Sequence, residues 1–158
     1  MNDETLKERF EYWKKVLRLR EGWDVSLEII RDAQFKKTGD FKVDPDDKKA
    51  VLLLNGLNPN DMNMEEVIIH ELMHLKLYPL DQVTESLIDA HYTKNTKPYE
   101  FAYSQFMMSL EQTVSELAKC FLKVHVKDKN LSFGRVKNHP GYNALFDGLK
   151  PYGNAEDY

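Results

Sequence analysis

From Val67 to Leu77 the chain is apolar on nearly every face of a helix. Val67, Ile68, Ile69, Leu72, Met73, Leu75 and Leu77 leave His70, Glu71, His74 and Lys76 as the polar positions. A helix apolar almost all round is a buried one, so the fold has to be built around this segment. Asn63 can cap it, with Glu66 at the third helical position as in a capping box. Pro79 predicts its end near Tyr78.

The flanking segments supply what must cover it. Leu6, Phe10, Trp13 and Leu17 recur at helical steps and predict a helix over Glu4 to Arg20, ended by Glu21-Gly22. Trp23 to Ile30 alternates as a half-buried strand, with Trp23, Val25, Leu27 and Ile29 on one side. Phe35 to Val43 predicts a second strand, broken at Thr38-Gly39-Asp40. Asp44 to Asp47 is a turn, and Lys49 to Leu54 predicts a more buried third strand. Asn55-Gly56 and the stretch from Asn58 to Asp61 break the chain again.

Beyond Pro79 we expect a short helix from Asp81 to Tyr92, with Leu80, Val83 and Leu87 as its apolar stripe. A loop at Asn95 to Pro98 precedes a long helix reaching Val124. Its expected core stripe is Tyr103, Phe106, Met107, Leu110, Val114, Leu117 and Phe121, with Cys120 a small buried hydrophobe beside it. Residues 128–158, with Gly134, Gly141, Gly148 and Gly153, read as a mostly irregular tail. The whole is an α+β pattern: an N-terminal helix, a three-stranded twisted sheet, then helices, in one domain over residues 1–158.

Charge and composition narrow the function classes. There are 22 basic and 26 acidic side chains and no long basic cluster, so a nucleic-acid partner is not expected. No stretch approaches the roughly 20 apolar residues that span a bilayer, and Met1 to Arg20 is charged throughout, without a signal-type apolar region. The lone Cys120 permits no internal disulfide. A soluble cytoplasmic protein is the expectation.

The polar residues of the buried helix carry the chemistry. His70 and His74 are four apart, so at about 100° per residue their imidazoles lie about 40° apart on one face. That places two ligands on one tetrahedral metal ion, and zinc is the usual occupant. Glu71 points about 100° round from His70. A carboxylate there can take a proton from water that the metal has acidified. His70-Glu71-Leu72-Met73-His74 thus has the form H-E-x-x-H of metallopeptidases. The bland alternative is two core histidines bonded to carbonyls, with Glu71 in an ion pair.

A catalytic zinc needs a third protein ligand and an open position. No Gly-x-x-His follows His74, so a downstream glutamate is the candidate. Glu111, Glu85 and Glu116 compete. Glu111 falls at the edge of the long helix's apolar stripe, where a lone carboxylate would be costly without a partner. Glu116 lies opposite that stripe, and Glu85 well off the stripe of its own helix. Glu111 is favoured, with Glu85 the main alternative: Glu85 and Asp89 have the Glu-x-x-x-Asp form, in which the Asp can orient a histidine ligand. The matching residue for Glu111 is Ser115.

From Lys49 to Val124 the chain resembles the gluzincins, the thermolysin-type metallopeptidases, and in size the minigluzincins and small immunity-repressor-type peptidases. The resemblance rests on Leu53-Leu54-Asn55 before the motif helix, on His70, Glu71 and His74 themselves, and on Leu110-Glu111-Gln112 in a later helix. It implies a small zincin-like domain: His70, His74 and a downstream glutamate as zinc ligands, Glu71 as general base, and a peptide or protein substrate. It also implies an edge strand, Phe41 to Val43 or Lys49 to Leu54, on which an extended peptide lies. Tyr78, one turn beyond His74, is a candidate oxyanion stabiliser, with Tyr103, His139 and Tyr142 behind it. The competing class is a latent or non-catalytic zinc module that regulates or staples a partner protein.

Overall fold

The structure, a computed structural model, describes residues 2–57 and 63–125. Helix α1 (Asp3–Val16) is followed by strands β1 (Asp24–Ile30), β2 (Gly39–Asp44) and β3 (Lys49–Asn55), then helices α2 (Met64–His91) and α3 (Lys97–His125). Three helices and a three-stranded mixed sheet make the expected α+β domain. The expected tail, with His139 and Tyr142, lies outside the described residues. No helix among the described residues is long and apolar enough to cross a membrane.

The first helix stops earlier than its apolar spacing predicts. Leu17 caps it, and Arg18 turns left-handed at φ 54°. The reversal brings both Leu17 and Leu19 into the core, at 5% and 1% exposure. Burying two leucines outweighs the cost of one non-glycine residue at positive φ.

The sheet order is β1-β3-β2, with β1 parallel and β2 antiparallel to β3. The last strand in sequence is therefore the central one. Register aligns three cross-strand rows: Val25–Ala50–Val43, Leu27–Leu52–Phe41 and Ile29–Leu54–Gly39. These rows turn toward the helices, since Val25, Ala50, Leu52 and Leu54 share one core with Trp13, Ile68, Ile69 and Leu72. Of the two expected edges, Lys49 to Leu54 is ruled out by its central place, and the edge strands are β1 and β2.

Asn63 caps α2 as expected, accepting from the backbone N–H of Glu65 (3.0 Å) and Glu66 (3.3 Å). Glu65 is buried, and its Oε1 accepts from Trp13 Nε1 at 2.7 Å and from the Arg9 guanidinium. A buried carboxylate needs such partners; this one ties α1 to the first turn of α2.

Helix α2 does not stop at Pro79; it runs 28 residues with the proline inside. A proline in a helix interior costs on the order of 3 kcal/mol. Packing against α3 on both sides of it offsets that: His74 meets Glu111 before the proline, and Glu85 and Asp89 accept from Tyr103 and Tyr99 after it. The helix expected from Asp81 to Tyr92 is thus the second half of α2, and its phase is inherited from the first. Leu80, Val83 and Leu87 are consequently 60%, 58% and 55% exposed, and Ile88 is the residue buried there. On α3 the buried residues are Leu110, Val114, Ala118 and Leu122, with Phe106, Met107, Leu117 and Phe121 at the margin and Cys120 exposed. The stripe is rotated toward Ala118 and Leu122.

Candidate metal centre

The centre lies where α2 and α3 cross. The Nε2 atoms of His70 and His74 are 3.1 Å apart. From α3 the Glu111 carboxylate straddles them, with Oε2 3.4 Å from His70 Nε2 and Oε1 3.3 Å from His74 Nε2. The three side chains offer ligand atoms that all lie within 4.8 Å of one another.

These separations have a chemical meaning. Two facing imidazole nitrogens can share only one proton, and a carboxylate beside them adds acceptors and no donor. Bonds of about 2.0–2.1 Å at tetrahedral angles place neighbouring donor atoms roughly 3.3 Å apart. The three separations fall around that value. Two imidazoles and one carboxylate also make a donor set that leaves a fourth position open. Glu111 is half exposed, so the centre faces solvent on the α3 side. The costly burial expected of this residue does not occur; its place over the two rings is what singles it out.

Glu111 has its carboxyl held well below the usual range, first by hydrogen bonding to His70 and His74, against some burial. It is an anion at neutral pH. Ser115, one turn further along α3, sets its Oγ 3.5 Å from His70 Nδ1. On the other side the Phe41 ring stacks on His74, with centroids 5.8 Å apart.

Glu71 leaves α2 toward the sheet, against Gly39 at the head of β2. Its carboxyl is raised from 4.5 to about 7, chiefly by burial, with Asp40 and Glu111 adding to the rise and His70 and Lys37 opposing it. A carboxyl poised near neutrality is suited to proton transfer in both directions.

The other predicted residues fall elsewhere. Glu85 is 11 residues beyond His74, a near-whole number of turns, so it shares the histidine's face but lies roughly 16 Å along the axis. It accepts from Tyr103 Oη at 3.1 Å and from Gln82. Glu116 is exposed and pairs with Lys119. Tyr78 packs edge-on against Trp23, and burial with the charges of Asp81 and Glu85 pushes its phenol up, so it remains a protonated donor.

Sequence reasoning missed Gly39, Phe41 and Asp81. Asp81, seven residues past His74, has one enclosed oxygen, Oδ1, without a hydrogen-bond partner among the described residues. The break expected at Gly39 was a signal of another kind: glycine inside a strand marks a close approach. Comparisons with protein families, curated proteins and solved structures return no match to the chain.

Proposed function

We propose that the protein is a zinc-dependent metallopeptidase. His70, His74 and Glu111 would hold the metal, and Glu71 would carry the proton. The observation that supports this most is the set of separations of 3.1, 3.3 and 3.4 Å among the two imidazoles and the one carboxylate.

When bound, zinc supplies a Lewis acid that acidifies water and polarises the substrate carbonyl. The protein's part follows from its own groups. Glu71 accepts a proton from the attacking water at its carboxylate and returns it to the leaving amine nitrogen as the C–N bond breaks. Its raised carboxyl suits both halves of that exchange. Among the described residues β2 pairs on one side only, and its outer edge would offer backbone groups to an extended peptide. Tyr78 is the nearest phenolic donor along α2 for the developing oxyanion. The single, unpaired cysteine fits a reducing cytoplasmic setting.

The test is metal content followed by turnover. Purified protein should carry or take up about one zinc per chain and cleave a denatured protein or a quenched peptide library. Glu71→Gln should keep the metal and lose cleavage. Metal bound with no cleavage of any substrate would point to the non-catalytic zinc module instead.

A further inference from the structure

Gly39 stands at the end of an inward-facing row, Ile29–Leu54–Gly39. Ile29 and Leu54 fill their places with side chains that pack in the core; Gly39 presents only backbone. The space a side chain would take there is occupied from α2. A Cβ built on Gly39 would lie 2.8 Å from Val67 Cγ1, 2.9 Å from Glu71 Oε1 and 3.0 Å from Glu71 Cγ. Contacts that short do not persist between carbon and these atoms, so something must give.

Two residues further along the same strand face, Phe41 rests on His74. One face of β2 therefore meets α2 at successive turns, touching the carboxylate of Glu71 and then a histidine of the metal group. We infer that Gly39 is a positioning residue: its bare backbone is the wall that fixes where the Glu71 carboxylate rests beside His70. The kinetic consequence rests on Glu71 acting as the base, as proposed above; the spatial claim does not.

The two neighbours of Gly39 would yield unequally. Val67 is β-branched and 4% exposed, locked in the core. The Glu71 carboxylate is the far end of a flexible side chain. A methyl group at position 39 should therefore displace the carboxylate first, leaving the histidines and Glu111 where they are.

The test compares the full chain with Gly39→Ala, Glu71→Ala and the double variant. With zinc loaded, Gly39→Ala should hold the metal within about 3-fold of wild type, as the atoms nearest the new methyl belong to Val67 and Glu71 and not to a ligand, while kcat falls by at least about 10-fold with little change in KM. In the metal-free protein Gly39→Ala should lower Tm, and adding Glu71→Ala, which removes both Cγ and Oε1, should restore about 2–4 °C of that loss. Tm losses that simply add would overturn the contact. A wild-type kcat in Gly39→Ala would overturn the positioning role. A zinc-loaded wild type without peptidase activity would defeat the functional proposal, while the Tm comparison still decides the wall. If Gly39→Ala does not fold, Val67→Ala opens the stiff side of the gap, and the same comparison is made in that background.

Discussion

Phe41 covers His74. The aromatic ring, on the strand next to α2, lies 5.8 Å from the imidazole at 30° between planes and limits how that ring can turn. A histidine ligand binds metal well only if its lone pair is already aimed. Phe41→Ala frees the ring, and we expect zinc affinity to fall roughly 3- to 10-fold, with Phe41→Tyr close to wild type. Competition against a chromophoric chelator measures it; equal affinity in Phe41→Ala would show that the stack does not hold the ligand.

The third ligand separates cleanly by substitution. Glu111→Ala should weaken zinc binding by more than about 100-fold, while Glu85→Gln and Glu116→Gln stay within about 2-fold. The geometry behind this is that, of these three glutamates, only Glu111 reaches both imidazoles. Loss of metal in Glu85→Gln with retention in Glu111→Ala would reverse the assignment.

That assignment also shows what the sequence could and could not carry. The cap at Asn63, the alternation in β1 and the His70–His74 pairing are local, and each was legible from spacing alone. The continuity of α2 through Pro79 was not, because the packing that overrides the proline comes from another helix, α3, through Tyr99, Tyr103 and Glu111. With that continuity missed, the phase of Leu80, Val83 and Leu87 was misread and Glu85 was placed on the wrong side of its helix. The apolar stripe of α3 points to Glu111 as an acid at the core's edge, whereas its side chain is half exposed. The sheet order was illegible for the same reason: nothing local says that β3 enters between β1 and β2.

Tyr78 should matter to turnover and not to metal. Its phenol is kept protonated by burial and by Asp81 and Glu85, so it is available as a donor. Tyr78→Phe should lower kcat by roughly 10- to 100-fold with zinc affinity unchanged. Full activity in that variant would remove Tyr78 from the mechanism and leave it as the partner of Trp23.

Glu71 gives the metal-free protein a distinctive pH dependence. Its carboxyl sits at about 7 when folded, against an ordinary 4.5. Between those values the folded chain holds a proton that the unfolded chain has released. The stability contributed by Glu71 is therefore fully present below 4.5 and is lost as pH rises through about 7, by on the order of 3 kcal/mol in total. Denaturant melts across that range should show the decline, and Glu71→Gln should flatten it. A wild-type curve that is level or rises through this window would mean that the carboxyl is not buried as described.

The β1-β3-β2 order has a consequence for assembly. Both outer strands bond to residues 49–55 and not to each other, so the sheet holds together only through β3. Gly39 and Phe41 lie on β2, whose one partner in the described sheet is β3. The wall beside Glu71 and the ring over His74 thus depend on β2 staying paired with β3, and a chain that lost that pairing would present its imidazoles without the surroundings that aim them.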